Sequence, residues 1–241
     1  QGYDEFFELW HEAPHAKVRQ PHYVTGRVTD WLRVLDDDRP LHLQVHYVPP
    51  HGPYIPGKRF DRFTDPSYDG PCQGLFPTLT GLEVGSIDPG NGCLDEVIGL
   101  YDGNLLAADD AVAVLLRSLE RRARWRDTVV LITADHGEAF LEHGRMHHNS
   151  TVYDEMLRVP FILRVPEWIP TSGVDLARLV TLADIVPTLL GTAGIRPVNG
   201  IEGIDLLAAG DAPASPRVVI ATNTDKPPLL GVFAVEVKTL Q

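Results

Sequence analysis

No stretch of the 241-residue sequence approaches the ~20 consecutive apolar residues that a membrane-spanning helix needs, and no secretory leader pattern is visible. There is no internal repeat and no low-complexity tract, which excludes solenoid and tail-like architectures. Basic residues are outnumbered: 21 Lys and Arg stand against 33 Asp and Glu, a formal net charge of -12. A nucleic-acid backbone needs a basic face, so nucleic acid is excluded as the default partner. Cysteine is scarce. Cys72 and Cys93 are too few for a zinc framework or a disulfide-dense scaffold; they either form one bridge around a loop or stay reduced, and the compartment is left open.

What is present fits a soluble α/β domain. The 44% hydrophobic and 22% charged residues are ordinary for a globular protein, and 20 Pro and 21 Gly imply many loops between short elements. Val24, Val28, Trp31, Leu32 and Leu35 recur at helical spacing, which predicts a helix over 22–36. LHLQVHYV (41–48) alternates and predicts a strand ending at Pro49-Pro50. Residues 52–92, rich in Gly-Pro, Asp-Pro and Asp-Gly, read as a long surface excursion. Residues 94–122 turn helical, and DTVVLITA (127–134) follows as a continuous apolar run that suits a strand buried on both faces of a parallel sheet. A second buried strand is predicted over 159–165, a helix over 182–193, and further strands over 218–222 and 230–240.

Chemistry collects at the ends of these strands. In parallel α/β sheets ligands bind beyond the strand carboxyl ends, where Asp135-His136-Gly137-Glu138 stands. Asp135 offers a hard oxygen suited to Ca²⁺, Mg²⁺ or Mn²⁺, and His136 a nitrogen suited to Mn²⁺ or Zn²⁺. The bland alternative is an N-cap Asp beside a surface His. Gly137 allows a sharp turn after the pair. His51 follows the 41–48 segment and can donate to an anionic oxygen or protonate a leaving group, whereas His46 within it reads as a packed strand histidine. A third group, His143, Arg145, His147 and His148, lies on the loop toward 159–165; such donors beside a metal are how an acidic protein holds an anionic ester. For Arg145 a solvated position is the simpler reading.

Five blocks in order, HYVPPHGPY, LYDGNLLAADDAVAVLLRSLE, DTVVLITADHGEAFLEHG, HHNSTVYDEMLRVPFILR and LADIVPTLLGTAGI, resemble the sulfatase family of the alkaline phosphatase-like superfamily over residues 1–195. The resemblance implies an α/β three-layer sandwich with a mainly parallel sheet over 1–215, and GVFAVEVKTL resembles the start of a small C-terminal subdomain over 216–241. It implies a metal-dependent sulfuric ester hydrolase, arylsulfatase-like, acting on a small-molecule or carbohydrate sulfate ester. By resemblance, Asp135 and His136 are metal ligands, for Ca²⁺ first and for Mn²⁺ or Zn²⁺ as alternatives. His51 and His148 are the catalytic residues that face the ester, with His147 beside them as a substrate-binding residue and a one-residue slip exchanging it with His148. The family's N-terminal Asp pair and its Cys-x-Pro-x-Arg or Ser-x-Pro-x-Arg block, source of the formylglycine nucleophile, have no counterpart, since Cys72 lies in GPCQGLF and Cys93 in GNGCLDE. The expectation is therefore an N-terminally truncated domain that supplies no nucleophile and is inactive alone. The alternatives are a phosphodiesterase, phosphonate monoester hydrolase or phosphoglycerol transferase of the same superfamily, and a non-catalytic remnant or binding module.

Overall fold

The computed structural model describes residues 5, 7–9, 19–35, 40–148, 151–172, 174, 178–196, 199–208, 219 and 221. Helices α1 (Pro21–Val34), α2 (Phe76–Glu83) and α3 (Cys93–Glu120) precede strands β1 (Val130–Thr133), β2 (Ala139–Phe140) and β3 (Met146–His147). Helix α4 (Asp154–Leu157), strand β4 (Phe161–Arg164) and helix α5 (Ile185–Thr192) complete the order. The strands form two two-stranded sheets, β1 with β4 and β2 with β3. By internal contacts the chain divides into two compact units, Gln1–Trp125 with Gly144–Met146, and Arg126–His143 with His147–Gln241.

In the first unit α1 begins with Pro21 in its first turn, where the missing N–H costs nothing, and carries Arg33 in its last turn, where a cation suits the helix dipole. Val24, Thr25 and Leu32 are buried, and α1 packs on α3. Between them, the Thr25 hydroxyl donates to the Ala111 carbonyl at 3.1 Å and lies 2.7 Å from the Tyr47 hydroxyl. One hydroxyl proton serves one acceptor, so Tyr47 donates to Thr25. Burial pushes the Tyr47 phenol up from its ordinary range.

The 28-residue α3 buries Cys93, Val97, Gly99, Gly103, Asn104, Ala107, Ala108, Ala111 and Leu115. The sequence pattern is helical there, as expected, but the core is made differently from what its leucines suggest. Leu105 is 49% exposed, while Gly99, Gly103, Ala107 and Ala111 form a four-residue repeat of small side chains on the covered face. Backbone fills the space. A Cβ on Gly99 would stand 2.5 Å from the Phe63 carbonyl oxygen, and one on Gly103 would meet Pro56 and the Phe60 carbonyl at 2.7–2.8 Å. The expected free surface excursion is thus seated in a glycine notch. Gly99→Ala should cost about 2–3 kcal/mol, because the obstacle is main chain and cannot swing aside; chemical denaturation of the variant against the wild type measures it.

Cys72 and Cys93 are joined in a disulfide, both buried, which ties the excursion to the first residue of α3. Of its aromatic residues, Tyr54 is buried edge-on against Tyr101, Phe60 stacks on His22, and the Tyr68 hydroxyl accepts the Cys72 N–H. Phe63 and Phe76 remain exposed. Residues 41–48 are assigned to no strand. They keep the alternation, with Leu43, Val45 and Tyr47 more covered than His42, Gln44 and His46, so His46 is exposed and not packed. Alternation reports which side is covered, while a ladder needs a neighbouring strand edge.

In the second unit β1 pairs antiparallel with β4, Val130 facing Arg164 and Thr133 facing Phe161. All four β1 residues are partly exposed and Ile162 is exposed. The predicted strands are present, but the parallel neighbours and two-sided burial expected for 127–134 are not found among the described residues. An apolar run states what surface a strand is able to bury, not which strands lie beside it. The helix predicted over 182–193 is a 3-10 turn (Leu182–Asp184) running into α5. Buried Asp184 accepts the N–H groups of Thr181 at 2.8 Å and Ile204 at 2.9 Å, closing a capping box and holding the following loop. The strands predicted over 218–222 and 230–240, and the boundary at 215/216, lie outside the described residues, apart from residues 219 and 221, which are in no strand.

Candidate functional site

In the second unit, β1 delivers the chain to Asp135 at its carboxyl end. Asp135 is exposed, with 76% of its side chain open to solvent, and its Oδ1 accepts the His136 N–H at 3.1 Å. The His136 ring is held by Nδ1–H donating to the Gly137 carbonyl at 2.8 Å, which leaves Nε2 as the free ligating edge. His136 Nε2 and Asp135 Oδ2 lie 3.8 Å apart. Two ligands of one ion at about 2.0–2.4 Å each can span that gap, so the pair fits a shared divalent cation. Among the described residues no group of three or more His, Cys, Asp or Glu side chains could hold a metal, so this pair is a partial shell.

Gly137 is needed for room. A Cβ there would stand 1.9 Å from the Glu155 carbonyl oxygen, and the Gly137 N–H donates to the Met156 carbonyl at 2.9 Å. The motif is therefore pressed against the backbone of α4. The expected reason, a sharp turn, is replaced by close approach, for Gly137 is not among the residues of positive φ.

Glu138, directly before β2, and His148, directly after β3, stand beside this pair. Glu138 is nearly buried, its side chain 5% exposed, and its two carboxylate oxygens lie 3.2 and 3.4 Å from His148 Nδ1. The His148 ring stacks on the His136 ring, centroids 4.2 Å apart and planes 26° from parallel. The hydrogen bond to Glu138 raises the His148 pKa above the ordinary imidazole value; burial opposes this, and the negative charges of Glu138 and Asp135 reinforce it. His147 has a left-handed backbone, φ 66°, and its ring stands nearly perpendicular to that of His148, 6.4 Å away. Its Nδ1 is 4.0 Å from Glu138. The two histidines thus differ: the His148 ring stacks on His136, and the His147 ring stands across it.

The remaining members of the predicted donor cluster are occupied with structure. His143 stacks on Tyr153, ring centroids 3.6 Å apart, and its Nδ1 lies 2.7 Å from Glu155. Arg145, half exposed, pairs with Glu83 at 3.6 Å within the first unit.

His51 belongs to the first unit. Its Nδ1–H donates to the Gly52 carbonyl at 2.7 Å. The turn that carries it is clamped by Arg19, whose Nη1 donates to the carbonyls of Gly52 at 2.7 Å and His51 at 3.3 Å. Arg19 and Glu138 carry no role in the sequence reading. Glu138 stands inside the quoted motif, three residues after Asp135, so a signal was available. Arg19 lies 32 residues before His51, and nothing in local spacing connects them.

A carboxylate and an imidazole thus stand side by side at a strand end, with a second imidazole stacked on the first, in a chain whose solved neighbours have the alkaline phosphatase-like fold. Residues 2–195 match the Sulfatase family, and the chain belongs to it. It is 31% identical to an ulvan-active sulfatase of Formosa agariphila, covering 92% of this chain and 45% of that one. It is 26% identical to an arylsulfatase of Clostridium perfringens, covering 76% and 40%. Among solved structures, the phosphonate monoester hydrolase of Agrobacterium radiobacter superposes with a TM-score of 0.66 at 22% identity, over 86% of this chain and 46% of that one. BT4656, solved in complex with its substrate D-glucosamine-2-N,6-O-disulfate, gives 0.64 at 18% identity, over 87% and 56%. The chain spans less than half the length of these curated relatives.

Proposed function

We propose that this chain forms the metal-ligand and ester-binding part of a sulfuric ester hydrolase whose substrates are sulfated carbohydrates. The observation that carries the reading is the pair Asp135 Oδ2 and His136 Nε2, 3.8 Å apart with His148 stacked against it, in a chain of the sulfatase family. A divalent ion held by Asp135 and His136 would supply Lewis-acid stabilisation of the sulfate oxygens. Ca²⁺ suits the carboxylate best, and the imidazole leaves room for Mn²⁺ or Zn²⁺.

The chain's own residues then bind and orient the ester. His148, its Nδ1–H given to Glu138, turns Nε2 to an ester oxygen and stabilises charge spreading over it. The family resemblance assigns to His51, whose Nδ1–H is given to Gly52, the proton needed as the alcohol departs. The nucleophile comes from neither cysteine, since both are buried and joined in a disulfide. In this family it is a formylglycine, formed within a Cys-x-Pro-x-Arg or Ser-x-Pro-x-Arg block that the 241 residues do not contain. The disulfide also fits an oxidising compartment.

The carbohydrate reading rests on its relatives, which include an ulvan-active sulfatase and an N-acetylglucosamine-6-O-sulfatase of Bacteroides thetaiotaomicron. The test is hydrolysis of a panel of sulfated mono- and oligosaccharides, an aryl sulfate and an aryl phosphonate monoester by the purified protein, after chelation and after Ca²⁺, Mn²⁺ or Zn²⁺ is restored. Release of sulfate from sugars, restored by one metal, supports the reading. Turnover of the phosphonate ester alone would transfer the site to the second reading, which the imidazole ligand His136 favours.

A further inference from the structure

We propose that Glu138 is the positioning residue of His148, fixing which edge of that imidazole meets the ester. The inference rests on the reading of the site given above. Three observations lead to it. A carboxylate with 5% side-chain exposure is costly unless it is paired, and Glu138 lies 3.2 Å from the His148 imidazole and 4.0 Å from that of His147. Both carboxylate oxygens lie within 3.4 Å of one atom, His148 Nδ1, so the contact straddles the carboxylate and tolerates small ring rotations. His148 lies ten residues further along the chain, beyond the turn that carries left-handed Leu141, Gly144 and His147.

Without that carboxylate the ring could turn about its χ2 torsion and exchange Nδ1 for a carbon at the contact, since the stacking on His136 fixes the ring plane but not which edge leads. With it, Nδ1–H is committed and Nε2, on the far side of the ring, is the edge offered to substrate. The same division of labour is seen at His51 and His136, but there the acceptor is the adjacent backbone carbonyl, which no side-chain substitution removes. At His148 the acceptor is a replaceable side chain, which makes its orientation open to test.

The experiment compares Glu138→Ala, Glu138→Gln and His148→Ala, singly and combined, in the protein that hydrolyses the sulfate ester. Glu138→Ala should lower kcat by about 10–100-fold with little change in KM, the range that orienting partners show. Glu138→Gln, whose amide oxygen still accepts from Nδ1–H, should recover most of the loss. On a His148→Ala background, Glu138→Ala should add nothing further. Independently of any activity, the ¹⁵N shifts of the His148 ring should report the Nδ1–H tautomer in the neutral wild-type ring and a mixture in Glu138→Ala. If the two substitutions are additive, if Gln rescues nothing, or if the tautomer is unchanged, Glu138 is a structural group and the inference falls. If no ester is hydrolysed but the tautomer shifts as described, the positioning role stands and the functional reading fails alone.

Discussion

Gly137→Ala is expected to destabilise the second unit by about 3 kcal/mol and to abolish ester turnover, the largest effect of any single methyl group in the site. The added carbon would sit 1.9 Å from the Glu155 carbonyl oxygen, a separation that no pair of these atoms sustains. Overpacking costs typically 1–3 kcal/mol when side chains can move aside, and here the obstacle is backbone. Relief requires the Asp135–Glu138 segment to lift from α4, which also breaks the Gly137 N–H bond to Met156. Both consequences fall on the same four residues that carry Asp135, His136 and the carboxylate paired with His148. Chemical denaturation and ¹H–¹⁵N spectra of the variant measure the two effects. Gly144→Ala is the control: nothing lies within 4 Å of its Cβ, so only the strain of its φ of 69° is charged, about 1 kcal/mol. Equal losses from both substitutions would remove close approach as the explanation.

Asp135→Ala, the second large effect, should remove the bound metal and lower turnover by roughly 10³-fold or more, since losing one preorganised charge-stabilising group already costs 10²–10³. The carboxylate is the one hard oxygen of the pair, and its 76% side-chain exposure means little of the fold depends on it. Stability should therefore change by under about 0.5 kcal/mol, as for other surface substitutions. Elemental analysis of the purified variant reads the metal directly, and a denaturation curve reads the fold. Metal retained at wild-type stoichiometry would move the ion to other ligands.

These two substitutions separate roles that a motif string shows as neighbours. Asp135 can be lost cheaply for the fold and expensively for chemistry, while Gly137 carries no chemistry and is expensive for both. The difference lies in where each stands: one side chain in solvent, the other position against main chain.

The sequence by itself determined the family, the strand ends that carry Asp135 and His136, and the helices of 22–36, 94–122 and 182–193 to within a few residues. Those features are local: helical periodicity, proline at a first turn and a run of apolar residues bounded by polar ones act over one or two turns of chain. The fates of His143, Arg145, His147 and His148 were not local. Four similar polar groups in six residues divided into a stacked latch on Tyr153, a surface ion pair with Glu83, a left-handed turn residue and a ring facing the candidate metal pair. Tertiary structure made that division, because it depends on partners 10 to 62 residues away and on backbone handedness that composition does not encode. It also decided the antiparallel pairing of β1 with β4, the Cys72–Cys93 bridge and the glycine notch of α3. In each case the deciding quantity is the distance between segments remote in sequence, which a residue's own chemistry permits or forbids but does not set.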